Sequence, residues 1–450
     1  MGGTDVAGRR RRVIAGVLTV GVVVGVAVGV VLRSPALKLP RAARGPVLVH
    51  SARAFVIPGR PMELQIAAFC AAPQDPELCA LRSGTIHVTR TDGATVAVPG
   101  TVRDDRVTFE LPSSLVERDF RYWIGVENAL GRTTAYPPGA PEAGLEVRTT
   151  AGFREVRLGA FTWRDTLPGT PVLELPYGAG PGQVGILPPQ GDGLASGESS
   201  FDVGPAGDIY VADRVNRRIQ IFDREGRYRA ELPLPDQRAV DIAVGSDGAV
   251  YAATLGDRSQ VAQIRPDGSS EPATVPFGVV ARVRAGASGP VALVGDAQYI
   301  PVPVGPGASL TAAEQGRLLR AAPPAPEGGT ALTGPVDDGR FAVAWTDPDG
   351  GAHGVLVRLP PEVAVGSDYF TVPLPDGGAL VAQGLYAPGH NVVGILRLDR
   401  SGRLVSFTRL PEPSFRQDAR WSTVRWRDPD EVLVIYEDPQ GVRIDRFEVI

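Results

Sequence analysis

The chain has 450 residues, a formal net charge of −4, 55 glycines and 42 prolines. Such a length holds two or three domains with sizeable cores. The Gly and Pro content, with short Val/Ile/Leu runs, excludes a mainly helical protein and favours many strands joined by tight turns. Past the first fifty residues no basic stripe is interleaved with aromatics, which argues against nucleic acid as a partner.

Residues 1–12 read as a basic cytoplasmic segment. Arg9, Arg10, Arg11 and Arg12 directly precede the uncharged run Val13–Leu32, whose length suits a bilayer core. The run is longer than an ordinary signal-peptide core, no small-x-small site closes it, and no lipobox-type Cys comes after it. It is therefore expected to be an uncleaved transmembrane signal anchor, with a cleaved signal as the alternative. The arginine cluster keeps the N-terminus in the cytoplasm and exports the remainder of the chain, although Arg33, Lys38, Arg41 and Arg44 on the far side oppose that bias. The expected location is the cell membrane, single-pass, with extracytoplasmic C-terminal domains. Gly21, Gly25 and Gly29 share one helix face, a spacing that suits homodimerisation and that a Val/Gly-rich anchor also produces by chance.

A Pro/Arg-containing stalk, 33–46, leads to a first β-domain over 47–150. Its expected strands are Val47–Val56, Met62–Phe69, Thr85–Arg90, Thr95–Val98, Arg106–Leu111, Phe120–Glu127 and Arg132–Tyr136, parted by turns such as Asp92-Gly93. Alternating apolar positions at this spacing suit a sandwich. The stretch from Phe120 to Pro137 resembles the last hairpin of Ig-like or fibronectin-like modules, which implies an Ig-like β-sandwich. Cys70 and Cys79 are the only two cysteines and suit a disulfide closing a surface loop in an oxidising compartment, with two buried thiols as the alternative. Neither has a Cys or His neighbour at zinc-ligand spacing.

After a linker, 151–170, a stronger pattern fills 171–450. Leu175–Gly185 followed by Val203–Tyr228 resembles an NHL repeat, the blade unit of a β-propeller family. Gly207-Asp208 turns into alternating Ile209 and Val211, Asp213–Asn216 makes a loop, and Asp223-Arg-Glu-Gly226 turns again. The turn-plus-strand element recurs at Gly248, Gly289, Gly339, Gly378 and Asp430, giving six blades. The last blade has three strands before the C-terminus, so Pro171–Leu175 is expected to supply its outer strand and close the ring. The whole is an all-β protein: a transmembrane helix, an Ig-like sandwich and a six-bladed NHL-like propeller.

Chemistry is sparse. The four histidines, His50, His87, His353 and His390, form no His-x-x-x-His or Glu-x-x-His pattern, and no Gly-x-Ser-x-Gly elbow or phosphate-binding loop occurs. No cofactor, metal ligand or catalytic residue is assigned. The NHL resemblance implies a pair between Asp213 and Arg218 that fixes a loop carrying Arg214, Asn216 and Arg217, candidates for recognition. His390 and Asn391 on a loop of the fifth blade are further candidates. Trp421, Arg425 and Trp426 flank an inner strand of the last blade, where Trp and Arg serve either an interface or the core. The expected role is an anchored module that binds a protein or cell-surface polysaccharide with the sandwich as spacer. The alternative is a propeller enzyme of the lactonase or lyase type.

Overall fold

The computed structural model describes residues 47–449 except 51, 70–76, 78–79, 138, 161–165, 188–199, 255–259, 276–279, 287, 295–297, most of 306–328, 348, 412–422, 429 and 439. The anchor 13–32 with Gly21, Gly25 and Gly29, the Cys70–Cys79 pair, and Trp421 therefore lie outside the described residues. Among those described, no helix is long and apolar enough to cross a membrane.

The first ten strands are β1 (Val47–His50), β2 (Phe55–Val56), β3 (Met62–Phe69), β4 (Leu81–Arg90), β5 (Thr95–Pro99), β6 (Thr101–Arg103), β7 (Arg106–Leu111), β8 (Phe120–Asn128), β9 (Thr133–Tyr136) and β10 (Leu145–Thr149). They form two sheets, β1-β3-β7-β6 and β2-β10-β8-β4-β5, with β9 also on β8. Alternation turns Leu64 and Ile66 of one sheet and Ile86, Val88, Tyr122 and Ile124 of the other into a shared core. The expected strand Val47–Val56 is divided. β1 pairs with β3, and the chain then crosses to the second sheet, where β2 runs parallel to β10. β6 and β10 lie outside the strands that the sequence pattern marks. Inside the core His50 is buried; its Nδ1 donates to the Gln65 carbonyl at 2.6 Å and its Nε2 accepts from the Tyr122 hydroxyl at 2.6 Å.

The rest of the described chain is a β-propeller. Two strands, β11 (Arg154–Arg157) and β12 (Thr170–Pro176), precede the first blade. Blade one is β13 (Ser200–Val203), β14 (Ile209–Asp213), β15 (Arg218–Phe222) and β16 (Tyr228–Pro233). Blade two is β17 (Ala239–Val244), β18 (Val250–Thr254), β19 (Gln260–Ile264) and β20 (Ser270–Thr274). Blade three has β21 (Val280–Gly286), β22 (Gly289–Val294) and β23 (Gln298–Pro301). Blade four has β24 (Thr330–Asp337), β25 (Arg340–Thr346) and β26 (Ala352–Arg358). Blade five is β27 (Ala364–Pro373), β28 (Ala379–Ala387), β29 (His390–Leu398) and β30 (Leu404–Pro411). Blade six has β31 (Val424–Asp428), β32 (Glu431–Asp438) and β33 (Gly441–Glu448). Each recurring turn-plus-strand element of the sequence is the second strand of a blade.

Both early strands complete later blades. β12 pairs antiparallel with β33, from Thr170↔Arg446 to Pro176↔Gly441, and closes blade six from the N-terminal side as the sequence implies. The segment 151–170, expected to be a linker, instead supplies β11, which pairs parallel with β26 as the outer strand of blade four. Only Val156 of β11 is buried, so its sequence looks like a connector.

The sandwich is not a spacer held away from the propeller. Ala54 and Phe55 pack with Leu332, Val336, Ala342 and Ala344 of blade four, and Phe153 joins them edge-on to Phe55 at 6.0 Å between centroids. The Phe153 ring lies so close over Gly354 that a β-carbon there would collide with it. Ala143 is fully buried in the core shared by blades two and three.

Phe55→Ala should lower the stability of sandwich and propeller together by about 3–5 kcal/mol, read as one shifted denaturant transition; a loss confined to the sandwich would contradict this packing. Burial lowers the His50 pKa from 6.5 to about 4. A group whose folded pKa lies below its unfolded value contributes stability that is complete above 6.5 and lost as pH falls toward 4. NMR titration of His50 should therefore show a neutral ring down to about pH 5, and His50→Gln should flatten that part of the stability profile.

Candidate functional site

A propeller's inner strands line its axis, and here they carry charge. β13 brings Asp202, β17 Asp241, β21 Arg282 and Arg284, β27 Asp368 and β31 Arg425. Asp241 is fully buried and is the hub. Its Oδ1 accepts from Ser200 Oγ at 2.7 Å and from Arg425 Nη2 at 3.3 Å; its Oδ2 accepts from the Val283 amide at 2.9 Å and lies 3.8 Å from Arg284. Arg425 Nε sits 2.8 Å from Asp202, whose other oxygen accepts from the Val244 amide at 2.8 Å. On the far side Arg282 lies 3.8 Å from the Asp368 carboxylate and donates to its backbone carbonyl at 2.9 Å, while Arg284 donates to the Tyr369 carbonyl at 3.3 Å. This charged network ties blades one, two, three, five and six, and a separate bond between the Thr333 and Thr371 hydroxyls at 2.5 Å joins blade four to blade five.

Two of these contacts obey one rule: the carboxylate of one inner strand accepts from a backbone amide of the next, Asp202 from Val244 and Asp241 from Val283. An aspartate is short enough to reach that amide and keeps an oxygen for a cation. Burial raises the Asp202 and Asp368 pKa values from the ordinary aspartate value, against the pull of the neighbouring arginines. Burial, then Arg425 and Arg282, lowers Arg284 to about 10. Arg425 Nη1 and Asp368 Oδ1 are buried without a hydrogen-bond partner among the described residues. Chemically the arrangement holds opposite charges in fixed reach of each other.

The candidates named on sequence grounds are dispersed. Asp213 and Arg218 do pair, at 3.0 Å, and Asn216 bonds inward to Asp213 at 2.8 Å and to the Gly178 carbonyl at 2.9 Å. Arg218 also donates to the Gly180 and Gln183 carbonyls at 2.7 and 2.9 Å. These residues hold the loop that leaves β12 of blade six against blade one, a latch beside the seam. Arg214 is half-buried; Arg217 is exposed, with a backbone φ of 56° and a bond to the Pro235 carbonyl at 3.3 Å. His390 and Asn391 are exposed at the start of β29. Trp426 is half-buried against the core between blades five and six. Only Arg425 belongs to the axial network. Asp202, Asp241, Arg282, Arg284 and Asp368 are absent from those candidates, although charged residues inside otherwise apolar first strands, as in Val240-Asp241-Ile242 and Arg282-Val283-Arg284, are a readable signal. Among the described residues no three His, Cys, Asp or Glu side chains are placed to share a metal ion.

No protein family matches the chain by sequence, and no curated protein does. Among solved structures it is similar to Kuenenia stuttgartiensis hydrazine synthase, at 12% identity over 53% of this chain and 73% of that one, with a TM-score of 0.33. A streptogramin B lyase matches at 12% identity over 73% and 89%, TM-score 0.30, and the WD40 repeats of RRP9 at 15% over 58% and 96%, TM-score 0.32. The propeller assignment rests on the six sheets themselves.

Removing one partner of a buried charge network strands the others. Arg425→Met leaves Asp202 and Asp241 short of their cation and should cost about 3–5 kcal/mol in urea unfolding. Asn391→Ala, at an exposed position, should stay within about 0.5 kcal/mol of the parent. Equal effects from the two would remove the network from the account of stability.

Proposed function

We propose that the protein is a single-pass membrane-anchored binding protein of the cell envelope, in which an Ig-like sandwich and an NHL-type propeller together hold a protein or polysaccharide ligand. The observation that carries this reading is the mutual pairing of the axial charges. Side chains that would have to converge on a substrate bond one another across blades, which makes the propeller a stiff frame and leaves recognition to its outward loops. The NHL assignment is supported by the Asp213–Arg218 pair at its strand-loop-strand link. The Ig-like assignment is supported by two sheets between which the first strand changes partner. Anchoring and export are supported by the arginines before the uncharged run 13–32, and self-association by the glycine spacing inside it.

The propeller-enzyme reading draws on one observation of its own. Burial raises the pKa of Asp202 and Asp368 on the inner strands of blades one and five, a direction shared with catalytic acids.

Protease added to spheroplasts should remove the sandwich and propeller and spare a tag on the N-terminus; protection of the propeller would overturn the topology. The purified full chain in detergent should bind envelope polysaccharide or envelope protein saturably, and Asp368→Asn should leave that binding intact. A chemical turnover abolished by Asp368→Asn would establish the enzyme reading instead.

A further inference from the structure

Blade four carries a row of three arginines, of which only the outer two have a carboxylate bonded to them. The parallel register places Arg157 of β11 beside Arg358 of β26, and the antiparallel register places Arg340 of β25 on the other side of Arg358. Like charges directly opposite on neighbouring strands repel. The two outer arginines are answered locally: Arg340 by Asp337, and Arg157 by Glu155 at 2.5 Å. Glu155 is held below its usual range first by that bond and then by the charges of all three arginines. Arg358, in the middle, is exposed, and its side chain makes no hydrogen bond or ion pair among the described residues.

The row ends at a cavity of about 240 Å³, where β11 and β26 finish side by side. Arg157 and Arg358 line it, and Leu158, Leu359, Pro360 and Pro361 give it an apolar wall. Glu362 lines the same cavity, and its negative charge disfavours a dianion such as phosphate. A planar carboxylate matches a guanidinium fork, and an apolar body matches the proline and leucine wall. The volume suits a ligand the size of an acylated amino acid, below the usual range for drug-sized pockets.

We propose that this groove on blade four binds a carboxylate carried on a short apolar body, with Arg358 as the principal anchor and Arg157 beside it. The ligand is either a free organic acid or the C-terminal residue of a peptide. The proposal needs only the local geometry of blade four, so it stands or falls apart from the anchoring and the axial network.

The test titrates the full chain with N-acetyl-leucine, N-acetyl-leucinamide, a short peptide ending in a free leucine carboxylate, and inorganic phosphate, read by calorimetry or ligand NMR. N-acetyl-leucine should bind and its amide should not. Arg358→Gln should weaken binding by about tenfold or more, the loss expected for a charge-assisted hydrogen bond, without lowering the melting temperature, because it relieves the row. Arg154→Gln, on the same strand as Arg157 but outside the cavity, should change nothing. Peptide binding as tight as that of the free acid identifies a chain terminus as the ligand source; exclusion of the peptide identifies a free acid. Equal binding of acid and amide, binding insensitive to Arg358→Gln, a preference for phosphate, or no binding at millimolar concentration each overturns the proposal.

Discussion

A ring of radial sheets holds only where its two ends are joined. Here the joint is the antiparallel pairing of β12 with β33, six registered pairs that place an N-terminal strand on the outside of the C-terminal blade. Everything around the seam accommodates it. Leu173 and Leu175 of β12 share a core with Phe201 and Val211 of blade one and Leu433 and Ile444 of blade six. Gly226 of blade one takes φ 81° directly against the Val172 carbonyl, where any β-carbon would collide. The Asp213–Asn216–Arg218 latch then fixes the loop beyond β12. Asp213, Asn216 and Arg218 of the repeat's loop thereby take part in ring closure.

The axial network answers a second demand. Inner strands crowd toward one axis, and apolar side chains alone leave their outermost backbone amides without partners at the blade junctions. Asp202 and Asp241 each accept from an amide of the next inner strand and both face Arg425, so part of the backbone and part of the charge are satisfied together. The balance is close: burial raises Asp202 and Asp368 even with arginines beside them.

Much of the architecture was legible because it is local. The second strand of each blade comes after a Gly or Asp turn with an apolar run, and all six were visible in the sequence. Long-range pairing was the opaque part. Nothing in Arg154-Glu155-Val156-Arg157 distinguishes a strand with one buried residue from a connector, because its partner is Val355–Arg358. Phe55 looks like an ordinary sandwich residue and Phe153 like part of a linker, since the blade face they cover is formed by Leu332 and Ala342 far along the chain. The axial charges did leave a local trace, since Asp241 and Arg282 interrupt apolar runs, but patterning by apolar alternation passes over them. The arginine row of blade four exists only through the registers of three strands and has no local trace at all.

The order in which the chain emerges during synthesis gives the parallel strand β11 a kinetic meaning. Arg154–Arg157 is made before the first blade, yet its partner appears only when Val355–Arg358 has been synthesised. Thr170–Pro176 waits longer still, until Gly441–Glu448. Throughout that interval two strand edges next to a finished sandwich lie open, and contacts of such high sequence separation form slowly. Folding of the chain depends on holding these edges apart from other chains until the last blade arrives.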